Sequence, residues 1–538
     1  MQPKIDFRCS SGILLLAIVL GFAAASAIGQ SIITKGTPAP TAIPTPSLAI
    51  TGPTIIDLQA KIRSRISRPE IVRGRIGIKI VSLNTGKIIF DESSEKYFMP
   101  ASNMKNFTVA AALEKLTPDF RFVTSVFAGT LPDANGTIKG DLRIYGRGDV
   151  SISTAFFGVL NDPETYYKGI DRLVDKITAA GVKKIEGSIA ADDSYFKGYP
   201  TPSGWEWDDL QWYYGAEVSA LPLNDNAVDL RVKPGPLGYA CTVTLLPYNP
   251  VYRVKNLCTT TAAGTLRTLK IEKVLSQNQL EITGTLPVGN AGFDNSVSVS
   301  RPAELFAALL KQRLESKGIT VGGRYRTSTP ANSNVPAESV EIAKLESPPL
   351  SLIASKTLKP SQNMYTETML WTLGEEARKR NARPMIAAIV PQKDSAELGL
   401  AEVKSFLSGI GVAPDGIVQY DGSGLSRHDL ITPAAVVQLY VYMAKQSKYS
   451  QVWRDSLTIG GVDGTLANRF KGTAAAGNIR GKTGTIDQVS ALSGYITTAG
   501  GEQLVLSIVV NGVVLTRDRT GLIDDIVLDL ANFKGKID

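Results

Sequence analysis

A serine and a lysine three residues apart open a predicted helix in the stretch Tyr97-Phe98-Met99-Pro100-Ala101-Ser102-Asn103-Met104-Lys105-Asn106-Phe107. Pro100 favours an extended run-in, and the apolar pattern Phe107, Ala110, Ala111, Leu113 marks one face of the helix, with Ser102 in its first turn. Residues three apart on a helix share a face, which sets the Lys105 amine beside the Ser102 hydroxyl. A serine is a poor nucleophile until an adjacent base takes its proton, and a buried lysine near another cation can be that base. Ser102 is therefore the candidate nucleophile. The same spacing recurs at Ser93…Lys96 and Ser194…Lys197, where a helix-capping serine with a solvated lysine is the plainer reading. What distinguishes Ser102 is its company further along the chain.

The N-terminus predicts export. Lys4 and Arg8 precede an apolar run from Gly12 to Ala25, and Ala25-Ser26-Ala27 offers a small-residue cleavage site, the layout of a signal peptide over residues 1–27. The run is short for a membrane span, and an uncleaved anchor is the alternative. Residues 28–54 are rich in Pro, Thr and Ala and read as an extended tether. With Cys9 inside the signal, Cys241 and Cys258 remain. An even pair in an exported chain favours a disulfide, worth roughly 3 kcal/mol for a loop of about 15 residues, with two unpaired thiols as the alternative. Neither cysteine neighbours a histidine, so no metal site is expected. The net charge of +8 is spread along the chain without a basic block. That argues against nucleic-acid binding and leaves open a peripheral attraction to a membrane or cell-wall surface.

At 538 residues the chain is too long for one ordinary domain. Ile55 to Ile66 reads as a helix, and strands 76–81 and 87–90 flank the hairpin signal Asn84-Thr85-Gly86. A mixed α/β section begins near residue 121. It has a hairpin of strands 122–127 and 138–145, a helix over 164–180 and a strand over 184–190. From 227 to 298 the pattern is short strands and turns, followed by a helix over 302–315 and a strand at 319–321. Past about residue 330 helices are expected at 350–357, 364–378, 396–408 and 434–444. Strands follow at 479–485, 491–497 and 504–510, then a last helix with Leu522, Ile526, Leu530 and Phe533 on one stripe.

Two further segments carry chemistry. Ser361-Gln362-Asn363 follows Lys359-Pro360 and opens a helix, so its hydroxyl and amide project from an interhelical loop; the same Ser-x-Asn spacing at Ser82 and Ser276 lies in hairpins. Lys482-Thr483-Gly484-Thr485 occurs once, at the end of a predicted strand. With no side chain at Gly484 a ligand backbone could lie against that strand edge, while Thr483 and Thr485 hold a carboxylate. In the order Ser-x-x-Lys, Ser-x-Asn, Lys-Thr-Gly, the three segments resemble the serine acyl-transferase signature of penicillin-binding proteins and serine β-lactamases. Residues 55–538 resemble, more narrowly, the D-alanyl-D-alanine carboxypeptidase/endopeptidase family of low-molecular-mass penicillin-binding proteins with large insertions. Further marks are Asp421-Gly422-Ser423-Gly424-Leu425-Ser426-Arg427, Ala220-Leu221-Pro222-Leu223-Asn224-Asp225-Asn226 and Gly461-Val462-Asp463-Gly464-Thr465-Leu466.

The resemblance implies an α/β (α+β) fold: a transpeptidase/β-lactamase-like core of residues 55–120 and 330–538. Two domains would be inserted, a mixed α/β one (121–226 and 299–329) and, nested in it, a β-rich one (227–298). It implies that Ser102 attacks the carbonyl between two D-alanines of a peptidoglycan stem peptide, with Lys105 as base and the N–H groups of Ser102 and Thr485 as oxyanion hole. Ser361 would relay a proton to the departing amine, Asn363 hold the substrate amide, and Lys482 keep Lys105 neutral and attract the carboxylate. Asp209, Tyr214 and Arg427 would receive the charged end of the stem-peptide diamino acid, the alternative being an aromatic packing loop between domains. No cofactor is implied, the location is periplasmic or otherwise extracytoplasmic, and β-lactam antibiotics are covalent inhibitors.

Departures from the family pattern are Gln362, where an acidic residue is usual and a solvent-side position is expected, and Val150 in place of the proline after Asp149. No Glu-x-x-Leu-Asn element supplies the deacylating glutamate of one β-lactamase class, so a penicillin adduct should hydrolyse slowly. The single histidine, His428, reads as a surface residue and lacks the Gly-x-Ser-x-Gly elbow of a catalytic triad. A catalytically idle wall-binding scaffold, or a β-lactamase or esterase on the same core, are the competing readings.

Overall fold

The N-terminal hairpin forms as predicted, with Arg75–Ser82 and Ile88–Glu92 antiparallel and Ile80 opposite Phe90. The structure, a computed structural model, describes residues 53–158, 162–329, 332, 334–381 and 393–536. The expected signal peptide and all but the last two residues of the tether lie outside them. Arg75–Ser82 pairs on its other edge with Gln503–Asn511, so the two ends of the chain meet in one antiparallel sheet. Val489–Thr497, Arg480–Ile486 and the short Thr458–Ile459 continue that sheet to six strands.

Both faces of this sheet are covered, and the two-residue period of the strands shows why. Leu504, Leu506 and Ile508 pack with Leu522, Ile526 and Leu530 of helix Thr516–Ala531 and with Ile62 of helix Ile55–Ile66. The alternate residues Val505 and Val509 belong to the apolar core shared with helices Lys105–Leu116, Asn363–Arg380, Ser395–Gly409 and Pro433–Lys445, the last of which packs on this strand. Lys105–Leu116 was expected to bury one face. It is buried almost all round, because other helices enclose it against the sheet, and its first residue, Lys105, is buried with it.

Between Leu116 and Leu350 the chain leaves this core. Tyr325–Thr327, Ile189–Asp192, Leu142–Tyr145, Val123–Ala128 and Val340–Glu346 make a five-stranded sheet in that order. Because Val340–Glu346 pairs with Val123–Ala128, this sheet extends past the return at 330 that the sequence suggests. The strands expected at 138–145 and 184–190 are each broken, at Gly140 and Gly187. A Cβ on Gly187 would lie 2.3 Å from the Gly140 carbonyl carbon, and this close crossing divides the strands between two sheets. The short strands of 227–298 form small sheets as expected, yet Leu230, Leu280 and Ile282 share one apolar core with Leu173 and Phe306 of the surrounding α/β part. Cys241 and Cys258 form a disulfide with Cα atoms 5.4 Å apart. The described residues cluster as one compact unit, and among them no helix is long and apolar enough to cross a membrane.

Candidate active site

Ser102 lies in a 3₁₀ turn, Ala101–Met104, that runs directly into the Lys105 helix. The Lys105 amine has three oxygen neighbours: Ser102 Oγ at 2.9 Å, Asn363 Oδ1 at 2.5 Å and the Ser423 carbonyl at 2.7 Å. Two of these accept only. A neutral amine has two hydrogens and one lone pair, so with the hydrogens given to Asn363 and Ser423 the lone pair is left facing the Ser102 hydroxyl. Burial is the chief cause that brings Lys105 down to about 7, while Asp421, Glu367 and Asp429 pull it up. At neutral pH about half of the molecules therefore carry the unprotonated amine that a base requires.

Lys482 sits on strand Arg480–Ile486, its amine 2.8 Å from Ser361 Oγ and 2.8 Å from the Thr483 carbonyl, while its own carbonyl accepts from Asn103 Nδ2 at 2.9 Å. Burial first, and then repulsion from Lys105, hold Lys482 well below the ordinary lysine range. The sequence assigns the neutrality of Lys105 to Lys482. In the structure burial does most of that work, and the mutual repulsion is felt at Lys482.

Ser361 turns the chain between helices Leu350–Leu358 and Asn363–Arg380 with φ of 67°, a left-handed backbone that a non-glycine residue adopts at some cost. Gln362 is not on the solvent side: it is 8% exposed, accepts from Met364 N and donates to Asp225 at 3.1 Å. Asn363 has both ends of its amide engaged, the oxygen with Lys105 and the nitrogen with the Tyr214 carbonyl at 2.8 Å. Thr483 is buried and donates to Thr465 Oγ1 at 2.7 Å, whereas Thr485 is exposed in the cleft. Gly484 has a further role beside the one its sequence suggests. A Cβ there would come within 2.5 Å of the Pro100 carbonyl and 3.2 Å of Ser102 N, so the missing side chain lets the strand lie against the Ser102 turn.

Ser102, Ser361, Asn363, Thr483 and Thr485 line one cleft of about 730 Å³ together with Asp209, Tyr214 and Arg427. Burial, then the neighbouring Asp208 and Glu206, push Asp209 up to about 6, and Tyr214 donates a hydrogen bond to it. Arg427 pairs with Glu206 at 2.7 Å and not with Asp209. This rim is tied to the nested β-rich strands, since Trp212 bridges Val297 and packs on Phe293. His428 is exposed and lies against the Tyr420 ring. Among the described residues no group of His, Cys, Asp and Glu could hold a metal ion.

Sequence reasoning missed the acidic cluster beneath Lys105. The Glu367 carboxylate, one turn past Asn363, accepts from Gly422 N at 3.0 Å. Burial raises both Glu367 and Asp429, and Asp421 raises them further. Asp421 in turn accepts from Gly424 N, Ser426 N and Trp205 Nε1, and so shapes the loop that offers the Ser423 carbonyl to Lys105. A single charged residue in the otherwise uncharged run Asn363–Thr372 was the available signal.

A model of the D-Ala-D-Ala carboxypeptidase 3 (S13) family matches residues 58–532. Over 482 residues the chain is 33% identical to a D-alanyl-D-alanine carboxypeptidase of Actinomadura sp. (strain R39), a match covering 87% of this chain and 83% of that protein. It is 25% identical over 443 residues to the D-alanyl-D-alanine carboxypeptidase DacB of Haemophilus influenzae, covering 81% and 85%. The crystal structure of penicillin binding protein 4 (dacB) from Haemophilus influenzae shares the fold, with a TM-score of 0.73 at 23% identity over 90% of this chain and 99% of that one.

Proposed function

The chain belongs to the D-Ala-D-Ala carboxypeptidase 3 (S13) family, and on that premise we propose that it is a serine D-Ala-D-Ala carboxypeptidase and D,D-endopeptidase of peptidoglycan that works through an acyl-enzyme on Ser102. The observation that carries this reading is the 2.9 Å approach of the buried Lys105 amine, brought down to about 7, to the Ser102 hydroxyl, with its other two partners accepting.

In this reading Lys105 takes the Ser102 proton as Oγ bonds to the carbonyl carbon between two D-alanines. The N–H groups of Ser102 and Thr485 carry the developing oxyanion, at about 3 kcal/mol per donor. The first N–H groups of a helical turn have no partner within it, which leaves Ser102 N available. The C–N bond then breaks and the departing nitrogen receives its proton through Ser361, whose hydroxyl is held by Lys482. Water hydrolyses the ester and restores Ser102. Lys482, Thr483 and Thr485 receive the substrate carboxylate. Asn363 positions Lys105 and meets the substrate amide, and Gly484 keeps the strand close enough for both halves of the oxyanion hole. Asp209 and Tyr214, with Arg427, receive the charged end of the diamino acid. β-Lactams acylate the same serine and remain bound, and the predicted signal would deliver the enzyme to the extracytoplasmic space.

Fluorescent penicillin labelling of the wild type and of Ser102→Ala, followed by product analysis on purified muropeptides, tests the reading. Labelling and D-alanine release are expected from the wild type alone; labelling that survives Ser102→Ala would reject the nucleophile. An idle scaffold would not need the Lys105 geometry described above.

A further inference from the structure

We propose that a second cavity, on the far side of the Ser361 turn, receives the departing half of a peptide crosslink. The inference rests on the function proposed above and asks which part of the substrate lies where.

The second cavity has a volume of about 670 Å³ and shares Tyr213 and Pro360 with the main cleft. Pro360 precedes Ser361 in the chain and Gln362, which follows it, lines only the second cavity. The two spaces therefore adjoin at the turn that carries the proton relay. When the Ser102 Oγ–carbon bond forms and the carbon–nitrogen bond breaks, the nitrogen leaves with the proton delivered through Ser361. Whatever is attached to that nitrogen therefore lies on the Ser361 side of the carbonyl.

For a terminal D-alanine, only a methyl and a carboxylate lie beyond that nitrogen's α-carbon, and the main cleft has room for both. For a crosslink, the leaving residue continues through its side chain into another stem peptide. That peptide needs a second space next to the turn, which is where the 670 Å³ cavity lies. The walls suit a peptide bearing charges of both signs. Lys356 lines the cavity, its amine donating to the Ala155 carbonyl at 2.8 Å and lying over the Phe156 ring, with further hydrogens that can meet a carboxylate. Asp229, held by Ser296 and Tyr166, also lines the cavity and presents acceptor oxygens. Catalytic, mixed α/β and β-rich parts of the chain each supply a wall, so the inserts would do more than shape the Asp209 rim.

The test uses the full enzyme with Ala155→Trp, which puts bulk at an exposed position of the cavity wall, and Lys356→Glu, which reverses the charge. Each is assayed on a monomeric pentapeptide muropeptide, on a crosslinked muropeptide dimer and by penicillin labelling. Ala155→Trp should lower kcat/KM on the dimer by at least about tenfold, leaving D-alanine release and labelling within about twofold of wild type. Lys356→Glu should raise KM on the dimer alone. Unchanged dimer cleavage in both variants, an equal fall on both substrates with labelling retained, or a wild type that releases D-alanine yet leaves the dimer intact would each overturn the inference. Absence of both labelling and D-alanine release in the wild type would instead defeat the proposed function.

Discussion

Gln362 donates from its side chain to the buried carboxylate of Asp225 across 3.1 Å, joining the turn that holds Ser361 to the inserted part of the chain. Asp225 also accepts from Ser153 at 2.6 Å and Tyr365 at 2.5 Å, and burial raises its pKa. An acid at position 362 would face that carboxylate here. Gln362→Glu is accordingly expected to destabilise the protein by roughly 3 kcal/mol at pH 8 and to slow penicillin acylation through the misplaced Ser361. A carboxyl whose folded pKa is raised gives up stability as pH rises through that pKa. The deficit should therefore shrink on acidification, and thermal unfolding at about pH 8 and about pH 5 checks this. A constant deficit would mean that the two carboxyls do not interact.

Lys105 titrates at about 7 in the folded protein against an ordinary value of 10.5. Acylation needs the neutral amine, so the second-order rate of penicillin labelling should climb with pH and level off above about 7. Between the two pKa values the unfolded chain holds the extra proton, and the contribution of this residue to stability rises with pH over that window. Lys105→Arg keeps a permanent cation beside Ser102 and should label about 10³-fold more slowly with no rising limb. A rate independent of pH in the wild type would remove Lys105 as the base.

Much of this was readable in the sequence because the signals are local. Periodicity found the helices around Ser102 and after Ser361, and the single Lys-Thr-Gly run placed its strand. What stayed hidden depends on pairs far apart in sequence. Gln362 is buried because Asp225 lies 137 residues away in the chain. Glu367 and Asp429 gather under Lys105 only once helix and loop are packed. Two predicted strands split because Gly140 and Gly187 cross too closely for a Cβ. The importance of Gly484 was legible, but its cause, contact with the Pro100 carbonyl, was not.

Asp209 lies on the cleft rim with Tyr214 donating to it, and burial together with Asp208 and Glu206 raises it to about 6. Its charge is thus present at neutral pH and lost in mild acid. KM for stem peptides with a free amine on the diamino acid should rise as pH falls through about 6, and Asp209→Asn should show that high KM at every pH. An ion pair of this kind accounts for roughly tenfold to a hundredfold in kcat/KM. Penicillin, which lacks the amine, should label both proteins alike, and an equal loss of labelling would reject the recognition role.

Gly484 is the position where the smallest change should separate the two halves of the site. A methyl group there would sit 2.5 Å from the Pro100 carbonyl and 3.2 Å from Ser102 N. The backbone atoms it meets cannot rotate away as a side chain could, so relief requires the strand Arg480–Ile486 to shift outward. That strand is paired along one edge with Val489–Thr497 and, at Arg480 and Gly481, along the other with Thr458–Ile459, so the shift falls on its remaining part, which carries Thr485. Gly484→Ala should therefore cost roughly 1 to 3 kcal/mol in stability and, if Thr485 N–H serves the oxyanion as proposed, lower penicillin acylation by about 10² or more. Thermal unfolding and labelling kinetics on the same preparation measure both. A variant that loses stability but acylates at the wild-type rate would show that Thr485 N–H does not serve the oxyanion.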